Sequence, residues 1–368
     1  MKKELFRDIY RRHEDNIKDF PYYIREFLER MENEMSINTI YNYGIDYNIF
    51  LNWLRSEGLY TGEVKDMPAS ILEELKPIDI DNFRRHVKNR RENDDVSIAR
   101  KISALRKLFE YLSVGPGGKG DQPYITFNVM ERVKVKMTKV DASARMEVLS
   151  TKILKTYEDF FAFKEYIASG FGEEFKENKK IMHNYHKNRE RDVAIICLLL
   201  ASGLRLSELV GLDVEEINVD KCECLVFGKG NTETMVQFSI FAQDALREYI
   251  AIRNERYNLP KKHKPLFVSS QKPNGRMTQR AVQLLVEKYA KAFGIKDMTV
   301  HKLRHSFATE YYLRTGDIIG LKTQLRHESI ETTNLYTQLD KSQRRKNLDD
   351  GIRQYLRAEV SVEGINEK

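Results

Sequence analysis

Residues 192–210, DVAIICLLLASGLRLSELV, constrain this chain more than any other stretch. Every side chain from Val193 to Ala201 is apolar, so a helix here has no polar face to offer water. Such a helix has to be wrapped by other elements, which puts it at the centre of a domain. Ser202–Gly203 then break it, and a new helix starts at once. Arg205 stands at that restart. Two readings are open for a cation in this position: an ion pair with Glu208, or a donor held ready for an anionic ligand.

A chain of 368 residues has room for two domains, and 41% hydrophobic residues can supply both cores. No apolar run approaches the roughly 18–20 residues that cross a bilayer, so no membrane partner is expected. The opening MKKELFRDIYRRHEDN lacks an apolar core of the secretory type, which makes the cytoplasm the expected compartment. Three cysteines, Cys197, Cys222 and Cys224, fit a reducing environment. A formal net charge of +7 points to a polyanionic partner, nucleic acid first.

Periodicity divides the chain. Helical patterning runs through 17–60, with Ser36 or Asn38 as a cap and Gly58 as a stop, and resumes at 78–91 and 97–112. Within this unit, residues 84–107 hold nine Lys/Arg against three acids. They read as a solvated helix pair or as a face laid along a DNA backbone. GPGGKG at 115–120 cannot sustain a helix and closes the unit. Residues 116–146 then read as a basic linker. Beyond it, 151–190 look helical but broken by SGFGEE, and short alternating runs CLVF and MVQFSI around GKGNTE form a hairpin. Helices at 242–255, 278–292, 301–314, 317–326 and 329–336 complete the pattern. The expected fold is mainly α: a helical domain over 17–115, the linker 116–146, a mostly helical catalytic domain with a small antiparallel sheet over 147–345, and a tail over 346–368.

Five places in the second domain carry candidate chemistry. Arg205 follows the central helix, and Lys229 sits between two glycines at the hairpin turn. TVHKLRHSFAT (299–309) places His301, Arg304 and His305 three and four residues apart on a helix. His327 follows in LRHES, and Tyr336 in TTNLYTQ. Two histidines at i and i+4 can hold zinc, but a hydrolase of that kind needs H-E-x-x-H, and Lys302 stands where the glutamate belongs. As one set the residues suit phosphoryl transfer instead. Two arginine forks match phosphodiester oxygens, histidines hold or move protons, a lysine protonates a leaving oxygen and a tyrosine attacks phosphorus.

The order and spacing of SGLRLSEL, GKGN, HKLRH, LRH and Tyr336 resemble the active-site series of tyrosine recombinases. The helical unit over 17–113 is similar to their SAM-like core-binding domain and 147–345 to their catalytic domain. Within the family, RERDVAIICLLLASGLRLSELVGLD, EYIAIRNERY and HKLRHSFAT look most like the Xer-type single recombinases. The resemblance implies catalytic roles for Arg205, Lys229, His301, Arg304, His327 and Tyr336, with Tyr336 as the nucleophile forming a 3′-phosphotyrosyl link. Lys229 would protonate the 5′ oxygen, Arg205 and Arg304 would clamp the phosphate, His301 would assist at the tyrosine, and His327 would hold a phosphate oxygen. No metal, ATP or other cofactor is implied. The implied partners are a double-stranded recombination site, a homo-tetramer on two DNA sites and a DNA translocase regulator. The implied task is chromosome dimer resolution at a dif-like site; integration or transposition of a mobile element uses the same chemistry. One departure stands out: the family carries glycine before the histidine of LRH, and this chain has Arg326. His305 reads as an orienting residue. The stretch 341–357, with Leu348, Ile352 and Leu356 in one stripe, reads either as a helix exchanged between protomers or as one folded back on its own domain. A type IB topoisomerase and a non-catalytic architectural DNA binder are the further readings.

Overall fold

The computed structural model describes residues 3–91, 93–115, 122–133, 153–228, 233–270 and 275–326. They form two compact units, 2–139 and 140–368.

The first unit is all helical. It contains α1 (Lys3–Ile17), α2 (Tyr22–Met31), α3 (Ile37–Ser56), the short α4 (Ser70–Glu73), α5 (Pro77–Arg90) and α6 (Asp95–Val114). Ser36 caps α3 by accepting the Thr39 N–H, and Asp94 caps α6 through the Ser97 N–H. Gly115, at φ +89, ends α6. The core is aromatic-rich: Tyr23, Phe27, Tyr47, Phe50, Trp53, Phe83 and Phe109 are all buried together. Two features differ from the sequence expectation. Helix α1 lies before residue 17 and belongs to this unit, packed on α3. Residues 122–133, expected as linker, also join this core: Ile125, Val129, Met130 and Val133 are buried in it, and Tyr124 Oη donates to Glu26. Sequence patterning missed this segment because it is a short 3-10 turn with no helical period. The basic stretch 84–107 is divided in its duties. Lys101 and Arg100 pair with the buried Asp46, while Arg84, Lys88 and Lys107 make exposed pairs with Asp81, Asp95 and Glu110.

The second unit is built around one helix. Its elements are α7 (Tyr157–Glu165), α8 (Phe171–Glu174), α9 (Lys179–Ser202), α10 (Leu206–Gly211), β1 (Ile217–Asn218), β2 (Glu223–Phe227), β3 (Glu233–Gln237), α11 (Gln243–Arg256), α12 (Gln279–Ala292), α13 (Val300–Thr315) and α14 (Ile318–Leu325). Every residue of α9 from Arg191 to Ser202 is buried, and α11, α13 and the turn at Ile240–Ala242 pack around it. Asp192 survives inside this apolar helix because Arg191 and Tyr289 Oη both donate to it. The strands form an antiparallel sheet in the order β1–β2–β3, with Glu223 opposite Gln237 and Phe227 opposite Glu233. Cys224 is buried in β2 and Cys197 in α9, while Cys222 lies at the sheet margin with φ +54.

SGFGEE does not break the helix as the sequence suggested. A π turn over Tyr166–Gly170 carries α7 into α8. The single hydroxyl hydrogen of Tyr185 is shared between the carbonyls of Ile167 and Ala168, 3.0 and 2.7 Å away, where the wide turn leaves acceptors to satisfy. A Cβ on Gly172 would sit 2.8 Å from the Tyr185 ring, so this glycine serves close approach. The real break falls at 175–178, where Asn178 caps α9. Among the described residues no helix is long and apolar enough to cross a membrane.

Candidate active site

The central helix determines where the site lies. Helix α9 ends at Gly203, whose φ of +64 is favourable for glycine. A Cβ there would meet Phe307 at 2.6 Å and Leu325 at 2.9 Å. The glycine therefore lets α9 terminate flush against α13 and α14. Two residues later Arg205 begins α10, and the start of α13 faces it. A groove of about 1300 Å³ opens between these elements. Arg205, His301 and Arg304 all line it, together with one face of α12 and the 294–299 segment. Six Lys/Arg and two acids line this groove, so it favours an anion.

Arg304 is only 4% exposed. Its Nη1 donates to the Gly203 carbonyl at 2.5 Å and its Nη2 to the Leu325 carbonyl. Two backbone acceptors, one from each neighbouring helix end, thus fix the plane of the fork. Arg205 is held differently. Its Nη1 donates to Glu208 Oε1 at 2.9 Å, its backbone N–H to Glu208 Oε2 at 2.8 Å, and its Nη2 to the Arg326 carbonyl at 2.9 Å. The side chain of Glu208 is buried while that of Arg205 stays 41% exposed. The two readings of Arg205 are therefore compatible: the carboxylate orients the guanidinium from behind and leaves its outer edge to the groove.

His301 reaches solvent on the first turn of α13, which Thr299 caps through the Lys302 N–H. Packing around its ring, then the guanidiniums of Arg304 and Arg205, hold its imidazole below the usual histidine range. His305 meets it edge to face, ring centres 4.4 Å apart. That contact suits an orienting partner. Among the described residues no group of three His, Cys, Asp or Glu is placed to hold a metal ion.

Arg326 occupies the left-handed region, φ +53 and ψ +49, at the end of α14. A glycine adopts that conformation without strain, which gives the family's preference a physical reason. Here the arginine side chain folds inward and shares Glu208 with Arg205, Nη2 to Oε2 at 2.5 Å. The partners Glu208, Gly203, Leu325 and Arg326 act on the two arginines mostly through backbone atoms. Only Glu208, three residues after Arg205, left a sequence signal. Lys229, His327 and Tyr336 lie outside the described residues, as does the stretch 341–357.

Residues 174–343 match the phage integrase family, and residues 24–114 match the phage integrase N-terminal SAM-like domain. The chain is 34% identical over 349 residues to tyrosine recombinase XerS of Streptococcus mutans serotype c, spanning 91% of this chain and 97% of that protein. It is 32% identical over 349 residues, with the same coverage, to tyrosine recombinase XerS of Streptococcus pneumoniae strain P1031. Its fold resembles that of XerH site-specific recombinase in a pre-cleavage complex with difH substrate: TM-score 0.57, 21% identity, 82% of this chain and 76% of that one. It also resembles a lambda integrase tetramer bound to a Holliday junction: TM-score 0.56, 14% identity, 85% and 76% coverage.

Proposed function

The chain belongs to the tyrosine recombinase family and is a tyrosine-type site-specific DNA recombinase of the Xer kind; from that premise we propose that it resolves chromosome dimers at a dif-like site through a 3′-phosphotyrosyl intermediate. The observation that carries the chemistry is the convergence of Arg205, His301 and Arg304 on one basic groove, each arginine fixed from behind. Forks fixed in this way need no reorganisation when charge builds on the phosphate.

In this reading Tyr336 attacks the scissile phosphate, displacing the 5′ oxygen, which takes its proton from Lys229. Arg205 and Arg304 hold the non-bridging oxygens. His301, neutral at pH 7 because its pKa is lowered, accepts the tyrosine proton or relays it. His327 hydrogen-bonds a phosphate oxygen. A 5′-hydroxyl from a second duplex then attacks the phosphotyrosine. The bond energy is conserved in the covalent link, so the proposed cycle uses neither ATP nor a metal. Strand exchange takes four such sites, hence a homo-tetramer on two DNA sites. The first unit, centred on 17–115, holds the duplex with 147–345, and a DNA translocase supplies regulation.

The match with tyrosine recombinase XerS over 91% of this chain and 97% of that protein supports the Xer-type reading, and with it dimer resolution ahead of mobile-element integration. A plasmid carrying two copies of the dif-like site of the source chromosome tests this. Resolution into two circles is expected. Supercoil relaxation without resolution would indicate topoisomerase action, and activity confined to mobile-element ends would move the assignment to an integrase.

A further inference from the structure

Resting on the assignment of Lys229 as general acid, we propose that Gln324 is a positioning residue that locks the lysine-bearing hairpin to the arginine clamp. Gln324 is the penultimate residue of α14. Its amide nitrogen lies 3.0 Å from the carbonyl of Ser202 and 2.7 Å from the carbonyl of Gln237. A primary amide carries two hydrogens, so a single nitrogen donates to both carbonyls at once.

The two acceptors belong to different parts of the machinery. Ser202 immediately precedes Gly203, whose carbonyl orients Arg304. Gln237 is the last residue of β3 and pairs with Glu223 at the base of the hairpin. The other end of that hairpin, Phe227 opposite Glu233, brackets the sequence segment that contains Lys229. The two residues after Gln324 complete the junction: the Leu325 carbonyl takes Arg304 and the Arg326 carbonyl takes Arg205. One short turn therefore sets both arginines through its backbone and the hairpin base through its one amide side chain. β2 and β3 stay paired from this base to Phe227 and Glu233, so a shift at Gln237 is carried along the paired strands.

Gln324 is not what keeps the hairpin folded. The Ser239 N–H separately donates to the Ala201 carbonyl at 3.0 Å, and the β2–β3 ladder is complete without the amide. Its loss should misplace Lys229 and leave the fold and the arginine clamp intact.

The leaving group provides the test. In cleavage the Tyr336 Oη–P bond forms and the P–O5′ bond breaks, and the 5′ oxygen departs with a proton from the Lys229 ammonium. Sulfur in the bridging 5′ position departs as a thiolate and needs no proton. Gln324→Leu removes both donors, and Gln324→Glu sets a carboxylate against two carbonyls. Each is assayed on a nicked suicide duplex carrying the site that the wild-type chain selects from a random-sequence DNA pool, in oxygen and sulfur versions. Both variants should cleave the oxygen duplex roughly 10- to 100-fold more slowly than wild type, a part of the 10²–10⁴ that a general acid supplies. On the sulfur duplex both should return to within about 3-fold of wild type, as Lys229→Ala should, whereas Arg205→Ala should stay slow on both because sulfur replaces only the need for a proton. Wild-type rates for Gln324→Leu on oxygen, or slow cleavage on both duplexes while Lys229→Ala is rescued, overturn the inference alone. Failure of sulfur to rescue Lys229→Ala removes the general-acid assignment and the inference with it.

Discussion

Gly203 shows how much of this site rests on single atoms. Its carbonyl orients Arg304, its left-handed conformation ends α9, and the place of its missing Cβ is filled by Phe307 and Leu325. Gly203→Ala therefore combines backbone strain with a clash, at a cost of roughly 2–4 kcal/mol. Thermal unfolding should show the loss, and DNA cleavage at permissive temperature should fall more than the stability change explains, because the carbonyl moves. His301 makes a separate prediction. Its pKa is lowered by packing and by Arg304 and Arg205, so the neutral form persists below the pH where an ordinary histidine is half protonated. The cleavage rate should hold through pH 6.5 and fall only as pH drops through that lower value, and His301→Gln should remove this acidic limb. An acidic limb unchanged in His301→Gln would dismiss the role. At this scale the sequence picked out Arg205, His301 and Arg304 by their spacing, and the structure brings the three to one groove. The sequence was nearly silent on what holds them, because carbonyls of Gly203, Leu325 and Arg326 carry no side-chain signature.

At the scale of elements, helix α9 was legible because nine apolar residues in a row admit few other readings. The hairpin was legible from alternation on either side of a glycine-rich turn. The π turn was not. Glycines in SGFGEE looked like punctuation, yet one of them makes room for the Tyr185 ring that satisfies the turn's carbonyls. Tyr185→Phe keeps the ring and leaves those buried acceptors without their donor, which should cost about 1–3 kcal/mol. A melting temperature equal to wild type would show that water replaces the hydroxyl and that the tyrosine does not set the turn. The segment 122–133 escaped for the opposite reason: four buried apolar residues at irregular spacing have no period to detect.

For the whole molecule, the division into an all-helical unit and a mostly helical unit with a small sheet followed from the glycine-rich stretch at 115–120 and from the two hydrophobic patterns on either side. The boundary itself shifted. The first unit begins at α1, which packs on α3, and its core takes in buried residues of 122–133. A fragment of residues 2–139 should unfold cooperatively, whereas one of residues 17–115 should lose several buried contacts and melt well below it. Equal stability of the two fragments would mean that α1 and 122–133 contribute nothing to this core.

We propose that Tyr336 is the nucleophile for a phosphate held by Arg205, His301 and Arg304. The direct measurement is capture of the protein on labelled suicide DNA carrying its recombination site, in the presence of EDTA, followed by peptide mapping of the adduct. The wild-type chain should yield a DNA–protein adduct linked through Tyr336 to a 3′ phosphate, and Tyr336→Phe should yield none. An adduct that persists in Tyr336→Phe, or one that maps to a different residue, would overturn the assignment of Tyr336 as nucleophile.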